Sequence, residues 1–517
     1  MKKQAYHICL GTLALAGGLL LGGAGALHAQ NTDDLLRYSL LNPSGSPRFT
    51  AMGGAFGALG ANFSAITVNP AGMGLYSREE IGLSGSITSG NGVADYYGET
   101  HRDNETKVNL PEASAVWLLM NKEENKGLKR LQMGVGVNRL NDYTGAYFVS
   151  GFNPQSSYME AVAAENYGAL VPDEYGDGTL NAAGGLAYNA YLLNDPDALG
   201  NFSTDLAYGN LNQYKRWYTN GNITELAIAF SGNIADKVYI GMNFGIPFVH
   251  YYTHSTLGES AADGTTRYVQ DTLAFMGYEL GERLSVSGTG FTFKIGVMYQ
   301  ALDYLRIGAW FHTPTYYAFK ESYTVDFAAN MEWPTDEDGY PLPGSPSGET
   351  RSEYRYKIQT PLRAGAALGF IIGQYGVVDV EGEIVNYNDM QLRINDDWRY
   401  EQQINQQVKD NYQVGGVLRV GTEWRAGIGR FRAGYVFQSS PYRDKAISQA
   451  WANHTFSAGV GVAFGRWAID FAVAYYLQKE NYYLYNIVDA QTYAPLVQPA
   501  KLTQNKLVYN LGFSVKF

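Results

Sequence analysis

Several stretches of this chain alternate apolar with small or polar residues for ten or more positions, and that period of two constrains the fold more than any other feature. In Val238, Ile240, Met242, Phe244, Ile246 and Phe248 one face is wholly apolar, while Tyr239, Gly241, Asn243, Gly245 and Pro247 occupy the other. Successive side chains of a strand point to opposite faces, so the pattern means strand rather than helix. It returns in Trp467, Ile469, Phe471, Val473, Tyr475 and Leu477, and again in Phe456, Ala458, Val460, Val462 and Phe464. A soluble sandwich also alternates, but its inner faces seldom run this long, and roughly 9 to 11 residues is what a tilted strand needs to cross a bilayer. Beyond Leu27 no apolar run approaches the roughly 20 residues of a membrane-spanning helix, so a membrane-spanning form of this chain crosses as strands.

Composition agrees. The 517 residues include 41 tyrosines and 60 glycines with only 17% charged residues, which fits neither a disordered chain nor a helical membrane protein. Lys2 and Lys3 precede an apolar, glycine-interrupted run from Ile8 to Leu27, and Ala29 offers a small residue for cleavage before Gln30, with Ala24 and Ala26 an alternative site; residues 1–29 read as a secretory signal peptide. Loss of Lys2 and Lys3 takes the formal charge from −11 to −13, an acidic balance that argues against a nucleic-acid partner. Cys9, the only cysteine, lies inside that signal, so the mature chain has no disulfide, thiolate metal site or cysteine nucleophile.

The pattern predicts an all-β fold: a transmembrane antiparallel β-barrel of about fourteen strands, the even number that bacterial single-chain barrels use. Strands are expected near 79–89, 108–120, 129–141, 222–233, 236–250, 282–300 and 303–313, then near 355–372, 376–392, 410–425, 429–439, 452–465, 466–479 and 504–517. Long and short connections alternate, the longest at about 142–221, as external loops and internal turns do in such barrels. Trp117, Trp424 and Trp467 fall on outward parity beside three short turns, where an interfacial aromatic girdle belongs. The chain ends in Tyr509, Leu511, Phe513, Val515 and Phe517, interleaved with Asn510, Gly512, Ser514 and Lys516. A terminal aromatic closing such a strand resembles the signal read by the outer-membrane barrel assembly machinery.

Residues 30–78 do not alternate. They run through the glycine-rich stretch from Arg48 to Gly60 and then Asn69-Pro70-Ala71-Gly72, small residues that pack closely and a motif that favours a turn over a helix. Preceding a barrel at 79–517, such a segment is expected to fold back and plug it. The glycine-rich stretch, the Asn69-Pro70-Ala71-Gly72 motif and the terminal strand resemble the outer-membrane long-chain fatty acid and aromatic hydrocarbon transporter family. That resemblance implies a hatch inside a fourteen-stranded barrel, with its Asn-Pro-Ala motif at Asn69, Pro70 and Ala71; Met73 stands where the family often has leucine. It also implies lateral release of ligand through a kinked third strand, near Gly134, Gly136 and Asn138 here, no cofactor, and a monomer integral to the outer membrane of a Gram-negative cell, in contact with its lipid.

Inward parity places Lys294, Arg306, Arg363, Arg419 and Arg432 opposite Asp379, Glu381, Glu383 and Asp470, and folding about the turn near Gly373 brings Arg363 to Glu383 with Arg419 at the same level. An ion-pair network that holds a hatch is the simplest reading, with binding of a ligand carboxylate the alternative. In the long loop region Tyr158, Met159, Tyr167, Leu170, Tyr188, Tyr191, Leu192, Leu193 and Tyr208 form either an apolar landing groove or the loop's own core. No Gly-x-Ser-x-Gly, His-Glu-x-x-His or phosphate loop is present, so no enzyme is expected. His250 and His254 share strand parity but lack an acidic partner in their immediate run; they read as solvated loop residues, and no metal site is expected. The expected function is passive uptake of hydrophobic small molecules, foremost long-chain fatty acids; a surface receptor for haem or another ligand and a general porin are the alternatives.

Overall fold

The computed structural model describes residues 32–517, apart from 124–126, 172–177, 263–266, 271–272, 333–346, 396, 486 and 488–494. The segment read as a signal peptide lies outside these residues. Four strands open the chain: β1 (Glu80–Tyr96), β2 (Glu99–Asn121), β3 (Leu128–Asp142) and β4 (Gly145–Asn153). After two short helices come β5 (Leu211–Ile234), β6 (Val238–Ala261), β7 (Arg267–Val269), β8 (Leu273–Leu302), β9 (Leu305–His312) and β10 (Tyr316–Glu332). The rest are β11 (Ser347–Gln359), β12 (Arg363–Ile372), β13 (Gly376–Asn386), β14 (Gln391–Arg393), β15 (Val414–Ala426), β16 (Gly429–Gln438), β17 (Ala452–Phe464), β18 (Trp467–Tyr482) and β19 (Ala500–Lys516).

These make a closed antiparallel barrel of fourteen strand positions. β9 and β10 together form one position, because β8 pairs with β9 through Lys294–Leu302 and with β10 through Ala274–Phe291. β11 and β12 form another, and β4 continues β3 in the same direction along β5. The last strand closes on the first, Glu80 against Lys516 through Asp95 against Lys501. Closure pairs the strand positions on both sides, save for one stretch of β2.

The outward face is an apolar belt in which Ile240, Met242, Phe244, Ile469, Phe471, Leu511 and Phe513 are exposed, with Trp117, Trp424 and Trp467 near the short-turn rim. On the long-loop side the strands run further than expected. β5, β6, β8 and β10 continue well past membrane length, and His250 and His254, read as loop residues, stand on β6. The two continued positions break where prolines sit, at Thr313-Pro314-Thr315 and Thr360-Pro361-Leu362. There threonine hydroxyls help satisfy the backbone that proline interrupts: Phe293 N–H donates to Thr313 Oγ1 and Thr315 N–H to Thr360 Oγ1, both at 3.0 Å. Above the breaks, Phe275, Tyr278, Val325 and Phe327 pack inward on Met159, Leu192, Leu193 and Leu206, so the extended strands enclose an outer apolar core.

The region 142–221 is therefore part strand and part folded loop. It holds α3 (Tyr158–Glu165) and α4 (Ala182–Asn189); Ser157 and Glu160 form a capping box on α3. Met159, Leu192 and Leu193 are buried in the outer core, while Tyr167, Leu170, Tyr191 and Tyr208 are exposed, so neither reading of that set holds for all of it.

Inside the barrel lie α1 (Thr32–Ser39), α2 (Pro47–Ala51) and two 3-10 turns, Phe63–Thr67 and Pro70–Leu75. The wall receives this segment on glycines. A Cβ on Gly308 would stand 2.0 Å from the Gly57 carbonyl oxygen, and one on Gly434 2.2 Å from the Met52 carbonyl carbon. Gly308→Val should accordingly lose about 1–3 kcal/mol through overpacking, read as a lower temperature at which the purified barrel unfolds.

Candidate functional site

The inner segment is fastened to the wall by backbone-to-carboxylate bonds. Glu381 Oε2 accepts the N–H groups of Phe56 and Gly57 at 3.1 and 2.6 Å, and Asp379 Oδ2 accepts from Ala58 N–H at 3.1 Å. A tight non-helical stretch cannot satisfy its own donors, and carboxyl oxygens of the wall supply the acceptors it lacks. Asn69, fully buried, closes the same loop: its Nδ2 donates to the carbonyls of Gly57 at 2.7 Å and Val297 at 3.3 Å, and its Oδ1 accepts from Ala71 N–H at 3.0 Å. Pro70 follows at the start of the 3-10 turn, where its missing N–H costs nothing, and a Cβ on Gly72 would come 2.7 Å from the Leu59 carbonyl. Pro70 and Ala71 pack there against the wall glycine Gly241, and Gly72 against Leu59, Gly60 and Ala65 of the inner segment.

Beside these bonds runs a buried ion-pair network. Arg363 and Glu383 lie 2.8 Å apart, Arg419 sits 2.8 Å from Glu381 and 3.6 Å from Glu383, and Arg432 bridges Glu423 at 2.7 Å and Asp470 at 2.6 Å. Arg48 of α2 joins it through Glu423 at 2.8 Å and also donates to the carbonyls of Gly60 and Ala61. Two members were not foreseen. Glu423 shares parity with Arg419 and was legible by counting in twos, whereas nothing local to Arg48 points to a residue 375 positions away. A separate pair, Lys294 and Glu225 at 2.8 Å, is also buried.

Above the network lies an apolar chamber. Its walls carry Leu140, Ile223, Val249, Tyr251, Val286, Tyr317, Phe319, Tyr356 and Val385, and Leu35, Leu36 and Tyr38 of α1 fill it. Tyr38 lies 4.7 Å from the Phe319 ring and edge-on to Tyr251 and Tyr143. Arg37 is neutralised within its own helix by Asp34 and covers the Tyr251 ring at 4.4 Å. The carbonyl of Ser39 accepts from Arg363 Nη2 at 2.5 Å. The chamber is roofed by α5 (Trp398–Asn411), capped by Asp397, whose Ile404 and Val408 point inward while its other face is polar.

On one side the chamber reaches β3, through Leu140 and the partly buried Tyr143, and there the wall changes. β2 and β3 pair from Asn121–Arg130 only as far as Glu112–Asn138. Beyond that point residues 99–109 of β2 pair with β1 alone among the described residues, while the continuing β4 pairs with β5 and passes behind β1. Gly92 permits the crossing, since a Cβ there would lie 2.1 Å from the Ala146 carbonyl oxygen. Pro111, which has no N–H, sits where the pairing stops, opposite an irregularity between Ser84 and Ser86. Side chains alone span the parted edge: Asn109 Nδ2 to Asp142 at 2.9 Å, Arg139 to Asn109 Oδ1 at 3.0 Å, Lys107 to Asn220, and Arg216 to Asp103 at 3.6 Å. Gly134 and Gly136 stand below the parting and face Phe63 of the inner segment, and Asn138 stands at it, buried with neither amide atom hydrogen-bonded.

The opposite mouth, at the short turns, is polar. A cavity of about 500 Å³ there is lined by Arg48, Glu80, Glu112, Glu423, Arg432 and Asp470 among others. Among the described residues no cluster of histidine, cysteine or acidic groups could hold a metal ion, and none of the helices is long and apolar enough to cross a membrane.

No protein-family model and no curated protein matches the chain. Solved structures do. A Pseudomonas aeruginosa FadL homologue aligns over 93% of this chain and 100% of its own, with 13% identity and a TM-score of 0.52. The chain folds as a FadL-like barrel. The Pseudomonas putida toluene transporter TodX aligns over 91% of this chain and 98% of its own, with 12% identity and a TM-score of 0.50. At such identities the likeness is one of fold, and the barrel is what these chains share.

Proposed function

We propose that this FadL-like barrel is an outer-membrane transporter that takes up hydrophobic small molecules passively, with long-chain fatty acids the foremost substrate. The observation that carries the reading is the apolar core beneath the α5 roof, which reaches β3 at Leu140, close to where β2 and β3 part, while the mouth at the short turns is polar and plugged. An apolar solute gains by leaving water for such a chamber and loses by crossing a charged mouth, so its favourable exit is sideways into lipid. The solved neighbours that are called transporters support the same reading, as does the sequence resemblance. Ligand displaces Leu35, Leu36 and Tyr38 of α1, which hold its place; the freed Arg363 donor, now on the Ser39 carbonyl, is then positioned for a carboxylate head group. Asn69, Pro70, Ala71 and Gly72 form the hatch turn, the Arg363, Glu383, Arg419, Glu381 and Arg432 network holds the hatch in place, and Gly134, Gly136 and Asn138 lie on the side of release. No covalent chemistry is required.

The test is uptake of labelled long-chain fatty acid, with toluene in parallel, by cells lacking their own transporter, comparing wild type with Asn69→Ala at matched surface levels. The substitution strands the carbonyls of Gly57 and Val297 without their donor at a cost of about 1–3 kcal/mol, and uptake should fall several-fold. Uptake of neither compound by wild type would remove the reading; uptake unchanged in the variant would separate transport from the hatch turn.

A further inference from the structure

The outer wall carries a feature that uptake does not use. On β10, β11 and β14 the outward residues are apolar or neutral up to one level and cationic just above it. Tyr316 is followed on its face by Ala318 and Lys320; beyond Leu362 and Gln359 come Lys357 and Arg355; and beyond Ile384 on the neighbouring position come Gln391 and Arg393. Strand register sets these cations directly against one another, Lys320 opposite Arg355 and Lys357 opposite Arg393. Like charges facing across strands repel, and an acidic chain has no general need to gather them.

Their counter-charges are few. Lys320 lies 3.3 Å from Glu353, which Arg351 shares at 3.1 Å. Among the described residues no carboxylate lies within ion-pair distance of Arg355 or Lys357, and Arg393 reaches only the Gln391 amide at 3.2 Å. All four cations are exposed. The patch begins just beyond the exposed Tyr316 and Ile384, where the apolar belt gives way on the long-loop side, which is the depth of the outer leaflet's head groups.

We propose that Lys320, Arg355, Lys357 and Arg393 bind the phosphate groups of a phosphorylated lipid of the outer leaflet. A phosphate presents several acceptor oxygens and up to two charges, and two guanidinium forks beside two ammonium groups on one flat strand surface match it. The bound lipid relieves the cross-strand repulsion and fastens this side of the barrel at a fixed depth. The proposal rests on the outer-membrane reading of the barrel but not on what the barrel transports.

The test uses the purified full-length barrel in detergent, titrated with bisphosphorylated lipid A and, separately, with the same lipid after enzymatic dephosphorylation. Wild type should bind the phosphorylated form, and Arg355→Gln/Lys357→Gln/Arg393→Gln should bind it roughly a hundredfold more weakly, since each cation near an anionic lipid surface counts about fivefold in affinity. Arg102→Gln, an exposed cation on β2, should bind as wild type does, and the charge-keeping Arg355→Lys/Lys357→Arg should retain most of the affinity. Heat-modified gel mobility checks that each variant is a folded barrel. Equal binding of dephosphorylated lipid, undiminished binding by the triple variant, or full competition by millimolar inorganic phosphate would each overturn the proposal.

Discussion

Glu381→Ala should release the hatch and lower the stability of the barrel by about 3–5 kcal/mol, the cost of removing one partner from a buried ion pair. Three groups lose their acceptor at once. The backbone donors of Phe56 and Gly57 are left unsatisfied, and Arg419 keeps only the longer contact with Glu383. Relief of repulsion from Asp379, two residues along the same strand face, offsets part of this, so the lower end of the range applies to stability alone. The larger consequence is local. Phe56 to Ala58 is held to β13 by three backbone bonds, and two of the three end on Glu381. In planar bilayers the wild-type barrel should show no steady ion current, and the variant should show frequent openings. Glu381→Gln, which keeps one acceptor oxygen, should fall between. A variant that melts and conducts like wild type would mean that the hatch is held elsewhere, by Arg48 on Glu423 and by the glycine seats.

How much of this was legible beforehand follows from the range of each interaction. The fourteen strand positions were, because side-chain alternation is local and a closed wall shows lipid on one face throughout. The upper strand halves were not. Tyr317, Phe319, Tyr323, Val325 and Phe327 keep the alternation of a strand, interrupted only by Glu321, yet Pro314 and the expectation of bilayer-length strands end the segment at 313. The inward charges were legible as a set and their pairings only where a hairpin joins them, as in Arg363 and Glu383 on neighbouring β12 and β13. Contacts between the inner segment and the wall join residues hundreds of positions apart, so neither Arg48 on Glu423 nor Leu35 against the chamber has a local signature. The helix α1 escaped for a further reason: at eight residues, a mean apolar content carried by Leu35, Leu36 and Tyr38 beside Asp34 and Arg37 marks neither a strand nor a stable isolated helix.

Closing the parted edge of β2 should abolish uptake by the proposed sideways route. Elsewhere, separating two neighbouring strands would break a ladder of backbone bonds, each worth about 0.5–1.5 kcal/mol net in water and more where lipid offers no replacement. Between β2 and the β4–β5 pair that ladder is missing over residues 99–111, and the contacts across it are side-chain ones such as Lys107 to Asn220 and Arg216 to Asp103. Partly exposed polar and ionic contacts of this kind contribute about 0–1 kcal/mol each, so this stretch of wall opens at lower cost than a fully laddered one, with the buried Arg139–Asn109 and Asn109–Asp142 bonds its strongest ties. Residues 30–517 contain no cysteine, which makes the edge addressable. Lys107→Cys/Asn220→Cys should transport like wild type until a short bis-methanethiosulfonate linker joins the two thiols, should then lose most of its fatty acid uptake, and should regain it when reductant removes the linker. The same linker across Glu353→Cys/Ser322→Cys, on the fully paired β10–β11 ladder, should leave uptake unchanged. Uptake that persists through the first linker would place the exit elsewhere, and the remaining route out of the chamber would then be downward past Glu381, Arg419 and a displaced hatch.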